Sequence, residues 1–369
     1  PERRLRIGYV SADFKAHAVA VVLESLLMGH NREEVEIFCY SEVGRPDDTT
    51  MRFMEHADAW RSTVGVSDEE MDAMIREDAI DIIVECTGHT KRNRRLALSR
   101  KPAPIQVNYL PMHGETSGMA AMDYALSDQY LTPPGYEDQF SETLIYLKSG
   151  SFTFRPDPAW PDIGPPRGFG EKPTFACVGS PERISDVAID LWARLLEKVP
   201  DACLLLKHPS YGDPRTRAIW RKKFDRLEKW TIFEDVDGGW GQHMDAYGRV
   251  DVVLDTYPMT GATSCIIPIW MGVPNVLLAP PFYGHRVGIS AVMASGLPEF
   301  VANDADEYLE IAARLINDRN HLATLRQTLR GQLEGSPICD VQNHVREIET
   351  AYREMWKTWC SQKNQLSHE

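Results

Sequence analysis

Short apolar runs alternate with longer helical stretches along most of this chain, and that alternation restricts the possible folds more than any other feature. The segment from Ile80 to Glu85 is apolar at its centre, as a parallel strand covered on both faces should be. Similar runs begin at Leu5, Val35 and Ile105, and stretches with helical periodicity separate them. Strands that alternate with helices in this way predict the α/β class with parallel, doubly wound sheets.

A proline-rich segment from Arg155 to Pro166 interrupts the alternation, which starts again at Thr174. A chain of 369 residues is long enough to bury two separate cores. We therefore predict one Rossmann-like lobe over residues 1–166, a second over 167–340, and a C-terminal helix over 341–369 that packs back towards the first lobe. Because ligands of open α/β sheets bind beyond the carboxyl ends of the strands, the two lobes are expected to face a central cleft.

The charge balance argues against a nucleic-acid partner. The formal net charge is −14, and an acidic surface repels a phosphate backbone. A basic cluster from Lys91 to Lys101 is interpreted as a solvated helix face. No apolar run reaches the roughly 18 residues that a membrane span needs, and no secretory signal follows Pro1. We therefore expect a cytoplasmic protein, and the missing initiator methionine indicates a piece of a longer chain.

The seven cysteines are scattered along the chain and form no Cys-x-x-Cys pair. Several stand inside apolar runs, which favours buried free thiols in a reducing compartment over disulfides or zinc. The histidines also lack the spacing of a metal site, so neither a metal nor a bound cofactor is expected.

The stretch from Val250 to Pro274 contains the most informative local pattern. An apolar strand ends at Leu254, a turn rich in Pro, Thr and Gly follows, and a helix begins near Thr263. The unpaired N–H groups and the macrodipole at such a helix start favour an anion. The hydroxyls of Thr263 and Ser264 either cap the helix or bind a phosphate. The pattern alone leaves an ordinary capped turn and a phosphate site equally open.

Polar side chains also stand in other loops that follow predicted strands. They are His17, His89, Thr90 and His113 in the first lobe, and Ser180 and Arg183 in the second. An isolated histidine is more often structural than functional, but three such loops converge at the same edge of a parallel sheet. His17 is suited to act as a base near neutral pH. Arg183 is suited to neutralise a leaving diphosphate.

Several common catalytic motifs are absent from the sequence. There is no Gly-x-Ser-x-Gly elbow, no Walker A loop and no complete Gly-x-Gly-x-x-Gly after a strand. These absences count against hydrolases, NTPases and dinucleotide-dependent dehydrogenases.

Separate sequence blocks recur in an order that is specific to one enzyme family. They are LRIGYVSADFKAHAV (5–19), IDIIVECTGHT (80–90), RKPAPIQVNYL (100–110), MDYALSDQ (122–129), YGRVDVVLDTYPMTGATS (247–264), IWMGVP (269–274) and SPICD (336–340). They resemble the catalytic region of the O-GlcNAc transferase and SPINDLY family, without its tandem helical repeats. The resemblance implies a GT-B fold and an inverting, metal-independent transfer of a sugar from a nucleotide donor to Ser or Thr hydroxyls of a protein. UDP-GlcNAc is the usual donor, and the SPINDLY-like branch uses GDP-fucose.

The resemblance also implies roles for individual residues. By position, His17 matches the active-site histidine and His243 a histidine that stacks near the base of the donor. The donor side in the second lobe is expected to comprise His243, Gly261, Ala262, Thr263, Ser264, Asp255 and Ser180, with Arg183 acting on the diphosphate. The acceptor side in the first lobe is expected to comprise His89, Thr90 and His113. The missing repeats are expected from a helical-repeat partner or from an N-terminal region of a longer chain.

Several positions depart from the family pattern around the donor and the acceptor. Arg183 replaces a lysine, Ala262 a glycine or histidine, Ile267 an acidic residue near the ribose, and Val21 a second histidine. Two classes of function therefore remain open. One is a transferase, either of GlcNAc or with a different donor such as GDP-fucose; the other is a non-catalytic module that binds a nucleotide sugar or a protein. The retained site residues favour the enzyme.

Overall fold

Two units, each with its own parallel sheet, make up the computed structural model of the chain, which describes residues 1–109, 115–156, 160–165, 171–235 and 239–366. Unit 1 comprises Pro1–Arg155 and Pro337–Glu369, and unit 2 comprises Pro156–Ser336. The boundaries predicted from the sequence stood at residues 166 and 340. The described helices include none that is both long and apolar enough to cross a bilayer.

The strands of both sheets follow the apolar runs of the sequence, and every described pair of neighbouring strands is parallel. Unit 1 contains β1 (Leu5–Ser11), β2 (Val35–Ser41), β3 (Ala59–Ser62), β4 (Ile82–Glu85), β5 (Ile105–Asn108), β6 (Tyr124–Ser127) and β7 (Thr143–Tyr146) in the order β3-β2-β1-β4-β5-β6-β7. Unit 2 contains β8 (Thr174–Cys177), β9 (Cys203–Lys207), β10 (Thr231–Glu234), β11 (Val252–Leu254), β12 (Asn275–Leu278) and β13 (Val301–Ala302) in the order β10-β9-β8-β11-β12-β13. The predicted α/β class with two parallel sheets is confirmed.

Helices connect the strands of each unit. In unit 1 these are α1 (Ala20–Gly29), α2 (Asp48–Glu55), α3 (Asp68–Glu77) and α4 (Arg95–Leu98); in unit 2, α5 (Asp186–Lys198), α6 (Pro214–Lys223), α7 (Gly239–Asp245), α8 (Thr263–Trp270), α9 (Val287–Ala294), α10 (Ala305–Asn317) and α11 (Arg319–Glu334); the last helix is α12 (Val341–Leu366). A capping side chain fixes the start of helix α5. Ser185 caps α5 as predicted, because its hydroxyl accepts from Ala188 N–H at 3.2 Å.

The final helix α12 completes the core of unit 1. Its apolar residues Val345, Ile348 and Tyr352 are buried in the same cluster as Ile7 of β1 and Leu23 of α1. Two buried histidines fasten its polar side. The His30 ring lies 2.8 Å from a Glu349 carboxylate oxygen and 2.6 Å from the Tyr9 hydroxyl. The His344 ring lies 2.9 Å from the Ser149 hydroxyl and 3.2 Å from the Tyr109 hydroxyl.

Two expectations about unit 1 are wrong in detail. The helical part of the basic cluster is confined to Arg95–Leu98, and Arg92 before it is not helical, with φ at +66°. The basic cluster around it is not a solvated face throughout, since Arg94 and Arg95 are buried. The Arg94 guanidinium pairs with Glu42 and Asp68 at 3.0 Å. Buried ions of this kind need partners, and carboxylates distant in sequence supply them.

The edge strand β3 was not predicted. Its sequence, Ala-Trp-Arg-Ser, is short and has no apolar alternation. It is a strand because it pairs with β2 over residues Phe38 to Ser41, and such tertiary pairing outweighs local preference.

We predict that acid weakens the attachment of α12. Burial lowers the pKa of His344 to about 4, and the nearby Glu347 and Asp128 only partly offset it. In the unfolded chain its pKa is near 6.5, so between that pH and about 4 the unfolded state binds a proton that the folded state does not. The contribution of His344 to the free energy of unfolding is fully present above pH 6.5. It is lost as the pH falls towards 4, and the loss is on the order of 2–3 kcal/mol. Chemical denaturation at pH 7 and pH 5 measures it.

The variant His344→Gln removes the titration, so its unfolding free energy should change less between the two pH values than that of the parent. His321→Gln, at an exposed position, is the matched control and should behave like the parent. An equal acid sensitivity of His344→Gln and the parent would contradict the prediction.

Candidate active site

Arg183 occupies the centre of the candidate site in unit 2. It ends a short 3-10 turn, Pro181–Arg183, that follows β8. Its Nη1 donates to the Thr260 carbonyl at 3.3 Å, and its Nη2 to the Ser264 hydroxyl at 3.4 Å. The buried Nε has no partner in the described part of the chain. Since a guanidinium has five N–H donors, two long hydrogen bonds leave most of its capacity for another acceptor.

Two glycines make room for this guanidinium. A Cβ on Gly179 would lie 3.0 Å from Arg183 Nη2, and a Cβ on Gly261 would lie 3.2 Å from Nη1. A Cβ on Gly261 would also lie 2.0 Å from the Ser264 hydroxyl, a separation that no real structure tolerates. The guanidinium therefore rests directly on backbone. Gly261 was among the predicted donor residues, whereas Gly179 was not; its position immediately beyond a strand was the available signal.

The start of α8 lies beside Arg183. Ala262 stands at the N-cap position with no side-chain cap, and Thr263 and Ser264 occupy the first turn. Of the two alternatives left open by the sequence, the capped turn is therefore not what forms. The first-turn N–H groups of α8, two hydroxyls and one guanidinium are brought together, which is the composition of an anion site.

Asp255 holds the loop that carries these groups. This buried carboxylate follows β11 and accepts from Gly261 N–H at 2.9 Å and from the Cys265 thiol at 3.2 Å. Burial raises its pKa, while the Arg183 charge acts in the opposite direction. The far side of the loop is tied by Thr260, whose hydroxyl donates to the His285 carbonyl at 2.6 Å and accepts from Gly288 N–H at 2.9 Å. The loop geometry is thus determined by buried hydrogen bonds.

His243, on α7, has an environment suited to a neutral ring. Burial, with help from the charges of Lys207 and His208, lowers its pKa to about 4. Its ring meets Tyr247 edge-on, with centroids 5.7 Å apart. A neutral, partly exposed imidazole can stack on a heteroaromatic base without a charge to desolvate. The hydroxyl of Ser180, another residue predicted on the donor side, donates to Glu182 on the same turn.

His17, in unit 1, projects from the loop between β1 and α1. The loop is anchored by Phe14, which is buried against Phe53 and Trp60. The His17 side chain is 45% exposed, and its Nδ1 lies 3.8 Å from an Asp13 carboxylate oxygen. Nδ1 also accepts from Val19 N–H at 3.2 Å. In the neutral ring the proton is then on Nε2, so the exposed nitrogen is a hydrogen-bond donor.

His89 and Thr90 lie in the loop that follows β4. Both residues are exposed, but the side chain of each also contacts other parts of the chain. The His89 ring contacts Arg95 Nη1 at 2.8 Å and the Thr116 carbonyl at 3.1 Å. The Thr90 hydroxyl donates to the Thr87 carbonyl at 2.7 Å. His113, the third predicted histidine of this lobe, lies outside the described residues.

Sequence reasoning missed two charged residues beside His89. Glu85 is buried at the end of β4, where it accepts from Thr87 N–H at 2.8 Å and lies 3.5 Å from Arg95 Nη2. Burial raises its pKa, and the Arg95 charge opposes that shift. The sequence did contain one indication of the Glu85–Arg95 pair, because Glu85 is a carboxylate at the end of an otherwise apolar strand.

No cluster of three or more metal-ligating side chains is found in the described ranges. The seven cysteines are free, five of them buried and two partly exposed. For Cys39, Cys177 and Cys265, burial raises the pKa of the thiol.

The family can now be established by comparison. The model of Glycosyl transferase family 41 matches residues 1–155 and 180–348. The chain belongs to glycosyl transferase family 41. The resemblance to the O-GlcNAc transferase and SPINDLY family that the sequence indicated is therefore confirmed.

Curated proteins from plants and animals resemble the chain along nearly all of its length. A probable UDP-N-acetylglucosamine–peptide N-acetylglucosaminyltransferase, SPINDLY, of Solanum lycopersicum is 33% identical over 98% of this chain. The corresponding transferase of Caenorhabditis elegans is 24% identical over 97% of the chain. These matches cover 39% and 41% of the two relatives, so the chain spans about two fifths of their length.

A solved O-GlcNAc transferase structure agrees closely with the fold. A mutant O-GlcNAc transferase of Thermobaculum terrenum shares 34% identity and a TM-score of 0.93, over 98% of this chain and 69% of that one. This agreement confirms the predicted GT-B class with two Rossmann-like sheets. An Anabaena protein solved with UDP and glucose, at 12% identity and a TM-score of 0.57 over 94% of this chain and all of that one, supports the fold alone.

We predict that Gly261→Ala disrupts the Arg183 loop. The added methyl group would collide with the Ser264 hydroxyl and Arg183 Nη1, and overpacking of this kind costs about 1–3 kcal/mol. The unfolding free energy of unit 2 should fall accordingly, and so should the affinity for a nucleoside diphosphate measured by calorimetry. Gly331→Ala is the control, because a Cβ there meets nothing within 4 Å in α11; it should bind normally and gain up to about 1 kcal/mol. Normal binding by Gly261→Ala would contradict the close approach.

Proposed function

We propose that the protein transfers GlcNAc from UDP-GlcNAc to Ser or Thr hydroxyls of protein acceptors, with inversion and without a metal ion. The observation that carries this proposal is the Arg183 guanidinium, held over two glycines beside the uncapped start of α8 with a buried Nε that has no described partner. Such an arrangement is suited to a diphosphate. The choice of donor sugar rests on the relatives, a probable and a named UDP-N-acetylglucosamine–peptide N-acetylglucosaminyltransferase.

Departure of the nucleoside diphosphate is the step that unit 2 would assist. The bond from the anomeric carbon to the phosphate oxygen breaks, and negative charge grows on the diphosphate. Arg183, the N–H groups of α8 and the hydroxyls of Thr263 and Ser264 would stabilise that charge in place before reaction, so that little reorganisation is needed. These groups do the work that a divalent cation does in metal-dependent transferases.

The neutral His243 ring would hold the base of the donor. With its pKa at about 4 the ring is uncharged at physiological pH, and it can stack without repelling a cationic neighbour such as Lys207. Ile267 and Ala262 are buried and apolar, so neither offers the polar contact that the resemblance would place near the ribose and phosphate. The proposed donor contacts are therefore concentrated on the diphosphate and the base.

The role of His17 follows from its tautomer. Because Nδ1 accepts from Val19 N–H, the exposed Nε2 carries a proton in the neutral ring and donates rather than accepts. We propose that His17 orients the acceptor by a hydrogen bond, and that the proton of the acceptor hydroxyl leaves to another group, such as a phosphate oxygen of the donor.

The direct test is incubation of the protein with UDP-GlcNAc, UDP-glucose and GDP-fucose and a peptide library, followed by mass spectrometry of the peptides and the released nucleotide. Transfer of GlcNAc to Ser or Thr, retained in the presence of EDTA, is the expected result. Binding of nucleotides without transfer from any donor would establish a non-catalytic module instead. Transfer of fucose alone would show that the donor is GDP-fucose, and the proposal of a protein glycosyltransferase would stand.

For Arg183 we predict a loss of turnover rather than of folding. Arg183→Met should lower kcat by about 100-fold to 1,000-fold, the effect of removing one preorganised donor to developing negative charge. Arg183→Lys should recover part of that loss, since it restores a charge without the forked geometry. Steady-state kinetics measure the effect and thermal denaturation controls for folding. Unchanged turnover in Arg183→Met would remove this residue from the site.

For His17 we predict that the pH profile distinguishes its two possible roles. If Nε2 is a donor, His17→Gln should retain much of the activity and the profile of kcat against pH should keep its shape, because Gln also donates. His17→Ala should lose on the order of 10-fold to 100-fold. If His17 were the base, His17→Gln would be as inactive as His17→Ala, with a loss of about 100-fold or more and no acidic limb in the profile.

A further inference from the structure

A second concentration of positive charge lies on helix α6 of unit 2, and the proposed reaction does not use it. Residues 214–230 contain seven Lys and Arg but only two acidic residues, in a chain whose net charge is −14. The contrast makes α6 and its C-terminal turn a local basic surface on an otherwise acidic protein.

One side of α6 is open to solvent. Arg215, Ile219 and Lys222 follow one another at helical spacing, and Arg221 flanks them. We refer to these four residues as the basic face. None of the residues of α6 is buried, and Ile219 is 67% exposed. The opposite side is anchored through Trp220, whose ring meets Tyr211 edge-on at 6.3 Å.

Of the other four basic residues of this region, three pair with carboxylates, and the fourth, Lys229, lies over the Trp230 ring. Arg226 pairs with Asp190 at 2.7 Å, Lys223 with Asp186 at 3.4 Å and Arg217 with Asp235 at 3.7 Å. In the portion of the chain that the structure describes, Arg215, Arg221 and Lys222 have no ion pair. Three exposed cations around an exposed isoleucine therefore remain available to a partner.

The helix also contacts the loop of the candidate site. Lys223 Nζ, in its last turn, donates to the carbonyl of Ile184 at 3.1 Å. Ile184 is the residue after Arg183, so the end of α6 is connected directly to the segment proposed to hold the diphosphate. A molecule held on the basic face would be anchored close to the donor loop.

We propose that the basic face docks an acidic segment of the protein acceptor, with an apolar side chain of that segment packed on Ile219. This inference rests on the proposed function for the identity of the partner. Carboxylates would pair with Arg215, Arg221 and Lys222, and the apolar contact would add burial of surface that water now covers. The segment stays bound while a nearby hydroxyl is glycosylated, so the surface selects acceptors and raises the local concentration of the reacting residue.

The dimensions and the charge balance favour a short peptide over a nucleic acid or an anionic membrane. A helix of ten residues is about 15 Å long, which matches a short extended segment. A nucleic acid or an anionic membrane would extend beyond α6 and face the remaining surface of a protein whose net charge is −14. Their repulsion acts over a Debye length of about 8–10 Å at physiological salt, whereas a short peptide contacts only the basic face.

The experiment compares two fluorescein-labelled peptides by fluorescence anisotropy. One has Glu at alternating positions around Ser and Leu, and its twin has Gln in place of each Glu. The combined variant Arg215→Glu, Arg221→Glu and Lys222→Glu tests the basic face. The combined variant Lys148→Glu, Lys198→Glu and Arg346→Glu changes the net charge equally at three exposed residues elsewhere and is the matched control. Ile219→Ser tests the apolar contact.

The parent should bind the acidic peptide more tightly than its twin, and increasingly so as salt is lowered. The basic-face variant should weaken binding about 10-fold, in keeping with the loss of three exposed charge pairs, while the control changes it less than about 2-fold. Equal binding of both peptides, or unchanged binding in the basic-face variant, would overturn the proposal. So would tighter binding of a single-stranded DNA oligonucleotide or of phosphatidylserine vesicles, each abolished by the same variant.

A transfer assay with the same peptides separates this inference from the function on which it rests. Charge reversal of the basic face should raise KM for the acidic peptide and leave hydrolysis of UDP-GlcNAc without acceptor unchanged. Transfer that is indifferent to the charge of the peptide would refute the docking surface and leave the transferase intact. Binding that depends on the basic face, without transfer from any donor, would refute the transferase and leave the docking surface.

Discussion

The groups around which the candidate site is built, Asp255 and Arg183, are held where a buried parallel strand ends, and the rest of the site depends on that constraint. Within a strand the backbone is fully paired and the side chains face helices on both sides, so no ligand can approach. At the carboxyl end the chain leaves the sheet, and the first residues beyond it are free to face outward. Asp255 after β11 and the Arg183 turn after β8 are both of this kind, and β8 and β11 are neighbours in the sheet.

Much of this arrangement could be predicted from the sequence, because it follows from local pattern. The apolar runs predicted the strands and the parallel class, and the turn before α8 left an anion site and an ordinary capped turn equally open. The contacts that define the site were harder to predict, since they join residues distant in sequence. Gly179 matters only because Arg183 folds back over it, and Arg95 is buried only because Glu85 and the 116–117 loop surround it. Neither fact has a local signature.

The distribution of charge separates structural from available cations. Arg94 is satisfied by Glu42 and Asp68 and by two carbonyls, and it holds loops together. Arg183 has two long hydrogen bonds and a buried Nε without a described partner. Burial of an arginine costs free energy that its partners must offset. An incompletely paired guanidinium is therefore an expensive feature that a bound anion would compensate.

The position of α12 has a consequence for how the chain folds during synthesis. This helix leaves the ribosome after unit 2, yet it belongs to the core of unit 1, which is made before unit 2. Val345, Ile348 and Tyr352 cannot cover β1 and α1 until all of unit 2 has been translated. Unit 2 can therefore complete its core while unit 1 still exposes apolar surface, which reverses the usual N-terminal-first order of multidomain folding. Nascent unit 1 is then the part of the chain that would need protection by a chaperone.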